Sequence, residues 1–319
     1  ELLDFDEAKR IPLMPSITST KEILENHTGK KIFWFEGQRF IWSMMMMNGV
    51  PFSTVACGGS VACSAFSLVY KLGFSRIILV GQDLALTGNK THADGTFKSI
   101  MDEIDTSRCI KVPGNYEEEV PTRGDFKLYL DWFNYYIKGC EGIHVINAAE
   151  GGAKIDNTEI MTLHDAIMRE CIKEVDIDAC FEKLKPIFDA EQQHKALEYL
   201  KTFPEMYRKL KKKVIKLNKE YQKLKTICGK SIIDKNAYLK ALKNIKNLTQ
   251  EIEKHELHDT ISCTLTVANY IIESEQFYEE DTVAAEGLQI AKQGIAYTKM
   301  VEQCIDLFIP LTEETLLTL

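Results

Sequence analysis

Residues 52–81 read Phe-Ser-Thr-Val-Ala-Cys-Gly-Gly-Ser-Val-Ala-Cys-Ser-Ala-Phe-Ser-Leu-Val-Tyr-Lys-Leu-Gly-Phe-Ser-Arg-Ile-Ile-Leu-Val-Gly. The run 52–56 is short and rich in β-branched and aromatic residues, which predicts a strand. Gly58 and Gly59 predict a tight turn, and Ser60 is placed to cap the helix that follows. Val61, Ala65, Leu68, Val69 and Leu72 recur at helical spacing, so that stripe is expected to cover a sheet. Gly73 stops the helix, and 77–80 predicts the next strand. The whole is one strand–helix–strand unit of an α/β domain.

That order has a chemical consequence. Glycines in the turn let a ligand approach the backbone, and the free N–H groups and dipole at a helix N-terminus favour a phosphate or carboxylate. Gly81-Gln82-Asp83-Leu84 leaves the C-terminal end of the second strand, where open parallel sheets bind ligands. The loop beyond it, Leu86-Thr87-Gly88-Asn89-Lys90-Thr91-His92-Ala93-Asp94-Gly95, is dense in groups that bind phosphate or move protons. A histidine there serves as a general base, a phosphate ligand or a solvated loop residue.

Outward from this unit, 32–35 (Ile-Phe-Trp-Phe) and 143–146 also predict strands, and Glu150-Gly151-Gly152 follows the second of them just past Asn147. That turn could hold a ligand or serve as a plain strand-to-helix connection. From 176 onward only Gly229, Gly287 and Gly294 remain of 18 glycines, and Lys, Glu and Leu dominate. Phe203, Tyr207, Leu210, Val214, Leu217, Tyr221, Leu224 and Cys228 follow steps of four and three, an apolar seam on one long helix. Gly229 ends it, and a second helix over 235–255 is expected to fold back antiparallel. Further helices near 259–276 and 282–307 complete a bundle. The basic run Lys209–Lys225 falls on the outer faces of the seam; it is a solvated surface or a docking surface for an acidic protein or for a nucleotide-sugar's charges. The expected architecture is α/β, a Rossmann-like parallel-sheet domain over 1–175, followed by an all-α bundle over 176–319.

Bulk properties narrow the function. The chain has 319 residues, 45% hydrophobic and 27% charged, enough for about two cores. A net charge of −8 argues against nucleic acid as the main partner. No apolar run of about 18 residues occurs, so no membrane partner is expected. The nine cysteines are scattered without C-x-x-C pairs, which fits reduced thiols in a cytoplasmic protein and no metal site. The first residue is Glu, and the expectation is a fragment of a longer chain.

Three stretches are familiar. Thr54-Val-Ala-Cys-Gly-Gly-Ser-Val-Ala-Cys-Ser-Ala-Phe, Leu72-Gly-Phe-Ser-Arg-Ile-Ile-Leu-Val-Gly-Gln-Asp-Leu-Ala with Lys90-Thr-His-Ala-Asp-Gly, and Asn147-Ala-Ala-Glu-Gly-Gly-Ala-Lys-Ile resemble the motility accessory factor family of flagellin glycosyltransferases. The resemblance spans about residues 50–165. It implies transfer of a nonulosonic acid, pseudaminic, legionaminic or related, from its CMP-activated form to Ser or Thr of flagellin, in the cytoplasm and with no metal or other cofactor required. It also implies a core like that of bacterial sialyltransferases. By that likeness Gly58, Gly59 and Ser60 hold the nucleotide or its phosphate, and Gln82 and Asp83 meet cytidine or sugar. Asp83 and His92 are the candidate bases, Lys90 and Thr91 the candidate phosphate ligands, and Asn147, Glu150, Gly151 and Gly152 line the donor or acceptor side. The bundle is the candidate flagellin-recognition domain. The chain departs from the family in lacking a Gly-x-Gly-Pro-Ser segment before residue 50, and the loop 85–92 has no tyrosine to stabilise the departing phosphate.

Two other functions compete. A similar core serves an archaeal pterin pyrophosphokinase, which needs acidic residues for Mg²⁺ and leaves the bundle unexplained. A non-catalytic flagellin-binding or chaperone-like module would use the bundle alone. Binding of a cytidine nucleotide separates the first reading from the last.

Overall fold

The computed structural model describes residues 11–86, 106, 109–265 and 282–319. Two compact units form, and the chain passes between them more than once. The first takes the chain up to Glu36 together with Ser53–Leu184, and the second takes Gly37–Phe52 together with Lys185–Leu319. The single cut expected at residue 175 therefore misses a segment that belongs with the bundle.

In the first unit, helix α1 (Lys21–Asn26) lies in the N-terminal segment; α2 (Arg39–Met47) belongs to the second unit. Helix α3 (Val61–Lys71), strand β1 (Arg76–Leu79), β2 (Ile110–Val112), β3 (Val120–Thr122), α4 (Gly124–Lys138), β4 (His144–Asn147), β5 (Glu159–Ile160), α5 (Leu163–Glu170) and α6 (Ile177–Glu182) follow in order. The sheet runs β1-β4-β5 with all three strands parallel, while β2 and β3 form a separate antiparallel pair. Ile77 pairs with Val145 and Leu79 with Asn147.

Alternation along these strands builds three layers. Ile77, Leu79 and Val145 join Cys63 and Phe66 of α3 and Leu130, Phe133 and Ile137 of α4 in one core. Ile146, with Ile78 against it, faces Ala166 of α5 in the other. A strand buried on both faces has to be apolar throughout, as Val145 and Ile146 are.

Three local expectations fail. The run 52–56 is extended without being a strand: Val55 N–H reaches Phe35 O at 3.2 Å, but Ala56 N–H donates to the Ser67 hydroxyl at 2.9 Å, so a side chain ends the ladder. The run 32–35 likewise makes only isolated bridges, Lys31 with Leu13 and Trp34 with Ser16. Helix α3 also turns a different face inward. Val61 is 86% exposed and Leu72 52%, whereas Cys63, Ser64, Phe66 and Ser67 are buried. Ser67 can be buried because its hydroxyl has both Ala56 N–H and the Tyr136 hydroxyl, 2.9 Å away, as partners. Phe66 packs edge-on against Phe133 and Tyr136.

The second unit is helical. Helix α7 (Ala190–Leu200) opens on a capping box between Asp189 and Gln192. Helix α8 (Phe203–Cys228) carries Pro204 in its first turn and ends at Gly229 as expected. Helix α9 (Lys235–Glu253) starts at Asp234, whose carboxylate accepts from Asn236 and Ala237 N–H. The last helix, α10 (Val283–Thr318), continues past Pro310 and beyond the expected end at 307. The predicted seam is the core: Tyr207, Leu210, Val214, Leu217 and Leu224 are buried among Ile245, Ile252, Ala291, Val301 and Ile305. Helix α2 joins this unit through Arg39, which pairs with Asp259 at 3.5 Å, and Ser43, which donates to Glu256 at 2.7 Å. Phe40 also meets the Phe203 ring edge-on at 5.5 Å.

Leu217 is 1% exposed at the middle of the seam. Leu217→Ala is expected to destabilise the bundle by about 2–5 kcal/mol through lost transfer energy and a residual cavity. Urea denaturation followed by circular dichroism reads this as a lower midpoint, and an unshifted midpoint would show that the seam is not the core.

Candidate functional site

Parallel pairing sends the chain out of β1 and β4 at the same edge of the sheet, and the segments that leave there are stitched together. Beyond β1, the carbonyl of Asp83 accepts from Ala153 N–H at 2.7 Å. Gly152 makes this approach possible: a Cβ at that position would lie 2.6 Å from the Asp83 Cα, and its φ of 77° disfavours other residues as well. Next in the chain, Leu84 is buried in the left-handed region with φ 48°, and its carbonyl accepts from the buried Thr122 hydroxyl at 2.8 Å. A leucine held left-handed is strained, and such positions persist where the surroundings over-determine them.

Beyond β4, the fully buried Asn147 organises its own turn. Its Oδ1 accepts from Ala149 N–H at 3.1 Å, and its Nδ2 donates to Asn115 Oδ1 at 3.2 Å. Asn115 in turn donates from Nδ2 to Gly151 O at 2.5 Å and from its backbone to Gly152 O at 2.9 Å. The 113–115 segment runs antiparallel to 152–154, with a Gly114–Ala153 bridge. Two amide side chains, Asn115 and Asn147, thus fix the backbone of 149–152. Glu150 is turned elsewhere: its carboxylate accepts from Leu163 N–H at 3.2 Å, at the start of α5.

Gln82 sits between β1 and this junction. Its Oε1 is buried and meets no donor among the described residues, an acceptor whose desolvation costs about 1–3 kcal/mol unless something binds there.

Gly58, Gly59 and Ser60 form the other part of the edge, since α3 runs against the strands and puts its N-terminus at their C-terminal end. Ser60 caps α3, accepting from Cys63 N–H at 3.3 Å. The turn rests on α4: a Cβ on Gly58 would fall 2.6 Å from Trp132 Cδ2, and one on Gly59 3.0 Å from Tyr129 Cε1. Trp132 is itself stacked on Tyr136 at 4.6 Å. At the start of α4, Arg123 pairs with Asp125, which holds that carboxyl below the usual range, and its guanidinium lies 4.5 Å over the Phe126 ring. The turn therefore offers backbone N–H groups beside a half-exposed aromatic face.

Of the residues expected at the site, Asp83 and Gly152 meet directly, Asn147 and Gly151 are joined through Asn115, and Gln82 supplies an unmatched acceptor. Lys90, Thr91 and His92 lie outside the described residues. Among the described residues, no three His, Cys, Asp or Glu side chains gather as a metal-binding set, and no helix is long and apolar enough to cross a membrane. Sequence reasoning missed Asn115, Thr122 and Tyr129. Gly114-Asn115 signals only a turn, and nothing local marks the others.

Asn115→Ala is expected to destabilise the first unit by about 1–3 kcal/mol, because it leaves the buried Asn147 amide without its acceptor. Hydrogen exchange at 149–153 should accelerate together with that loss. Parental exchange at those amides in a folded variant would rule out the two-asparagine clamp.

A family model described as "MptE-like: 6-hydroxymethylpterin diphosphokinase MptE-like" matches residues 1–89. No curated protein matches the chain. Among solved structures, the chain is similar to a MAf glycosyltransferase from Magnetospirillum magneticum AMB-1, with 13% identity and a TM-score of 0.49 over 96% of this chain. The match takes in 44% of that protein, so the present chain spans less than half its length.

Proposed function

We propose that the first unit is the donor-binding part of a glycosyltransferase that moves a nonulosonic acid from its CMP-activated form to a flagellin hydroxyl. The observation that carries this reading is the sheet edge where Gln82, Asp83 and Gly152 converge, together with the Gly58–Ser60 turn. The motifs of 54–66, 72–85 and 147–155 that resemble flagellin glycosyltransferases fall on the segments forming that edge.

Its parts match the needs of the reaction. The bond between the anomeric carbon and the CMP phosphate breaks while a bond to the acceptor oxygen forms. Charge grows on the leaving phosphate, and the hydroxyl proton must go to a base. The first N–H groups of α3 receive the phosphate, as helix N-termini do. The unmatched Gln82 oxygen accepts from a donor group on the nucleotide or sugar. Asp83, half-buried and held by its backbone beside Gly152, takes the proton; His92 is the other candidate, with Lys90 and Thr91 as further phosphate ligands. The helical unit presents flagellin, and the protein works in the cytoplasm without a metal or other cofactor.

A second reading comes from the family model over residues 1–89: diphosphate transfer from ATP to a hydroxymethylpterin at the same edge. The two separate by ligand. Calorimetric titration of the chain is expected to show saturable CMP binding, weakened about tenfold or more in Gln82→Leu, which keeps the volume and removes the acceptor. Asp83→Asn should leave CMP affinity near the parental value while abolishing transfer in the full-length protein. Binding of ATP with Mg²⁺ in place of CMP would overturn the transferase reading in favour of the kinase. Flagellin binding without affinity for either nucleotide would leave a non-catalytic binding module.

A further inference from the structure

Seven of the eight lysines of α8 fall into two groups. Those beside the seam are paired with other helices: Lys211 reaches Asp306 at 2.6 Å and Glu302 at 3.6 Å, and Lys213 reaches Glu251 at 3.0 Å. Lys209, Lys212, Lys216, Lys219 and Lys223 recur at steps of three and four on the opposite face, and all five are exposed. Among the described residues, this group meets one carboxylate, Glu220, and that is a neighbour of Lys223 on the same helix. Like charges three and four residues apart on a helix repel and destabilise it, and among the described residues no acidic helix offsets the repulsion here as it does for Lys211 and Lys213.

The stripe borders a groove between α8 and α9. Lys216, Lys219 and Lys223 line one side, and Asn244, Asn247 and Leu248 line the other. Glu220 lies in it, held by Lys223 and by Asn244 Nδ2 at 3.1 Å, with the charge of Lys240 from α9 acting on it as well. The groove is thus strongly basic in a chain whose net charge is −8. From Lys209 to Lys223 the stripe is about 21 Å long at the helical rise, longer than a single nucleotide, and its spacing is that of a helix.

We propose that this groove docks an acidic helical segment of a partner protein, laid along α8 with its carboxylates on the lysine stripe and its apolar side toward Leu248. The steps of three and four on α8 match carboxylates repeating at the same steps on an incoming helix, as in paired helices. Long-range attraction would speed the encounter, and salt would weaken it.

The test uses the full chain and a fluorescent synthetic helical peptide whose glutamates recur every third and fourth residue. Two competitors accompany it: a peptide of the same composition with its glutamates spread round the helix, and a short DNA duplex. The in-register peptide is expected to bind at least about tenfold tighter than the permuted one, and Lys212→Glu/Lys216→Glu/Lys219→Glu is expected to lose about tenfold or more. The equally charged variant Lys185→Glu/Lys230→Glu/Lys246→Glu should bind as the parent does. Equal binding of the permuted peptide, an equal loss in the second variant, or tighter binding of DNA would each overturn the proposal. An independent check is thermal: Lys212→Gln/Lys216→Gln/Lys219→Gln should melt at a higher temperature than the parent, and an unchanged or lower Tm contradicts the uncompensated repulsion on which the assignment rests.

Discussion

Parallel strands deliver their C-terminal ends to one edge of a sheet, and the pairing of β1 with β4 gives the first unit its geometry. Ile77 opposite Val145 and Leu79 opposite Asn147 fix the register. A one-residue slip would turn Val145 and Asn147 to the opposite face and exchange Ile146 for them, unsettling both cores. With the register set, the segments after Leu79 and after Asn147 must emerge side by side. The meeting of Asp83 with Gly152 and Ala153 follows from that. Fold and site therefore depend on the same backbone ladder, and the strain at Leu84 is borne beside it.

Burial of polar groups sharpens this edge. Asn147, Thr122 and Ser67 are all buried, and each spends its hydrogen-bonding capacity on backbone or on another side chain. Gln82 differs, since its buried oxygen has no donor among the described residues. Both ring nitrogens of His27, in the N-terminal segment of the same unit, are also buried without a partner among the described residues, so what sets the Gln82 oxygen apart is its place beside the sheet edge, where a ligand group would complete it. The helical unit uses a different economy: it relies on a continuous apolar seam, with Asn218 and Thr298 as a matched polar pair within it, 2.6 Å apart.

Periodicity made the bundle legible. Eight residues at steps of four and three, ending before Gly229, specify a helix and its buried face with few alternatives. The first unit was legible in part. Its helix α3, the Ser60 cap and the strands around Ile77 and Val145 could be read from turn residues and β-branched runs. The buried face of α3 could not, because small serines lie inward there through partners, Ala56 N–H and the Tyr136 hydroxyl, far away in sequence or invisible in composition. The run 52–56 looked like a strand for the same reason: only the structure shows Ser67 taking the N–H that a ladder would need. At the site, glycines and strand exits pointed to Gln82, Asp83 and Gly152 as candidates, but Asn115 reaches Gly151 and Gly152 through a tertiary contact. The extension of α10 through Pro310 overrode a local breaker.

The segment Gly37–Phe52 lies in the first fifth of the chain yet packs with residues that begin at Lys185. Arg39 finds Asp259, and Ser43 finds Glu256, more than 200 positions later. On a ribosome adding about 5–20 residues per second, the 133 positions between Phe52 and Lys185 take roughly 7–27 s. For that interval Phe40, Ile41, Trp42 and four successive methionines have emerged while the helices that cover Phe40 do not yet exist. The first unit can assemble in the meantime, but the second must wait for its own beginning and end to coexist. The nascent chain thus carries this apolar stretch without its cover while those residues are being added.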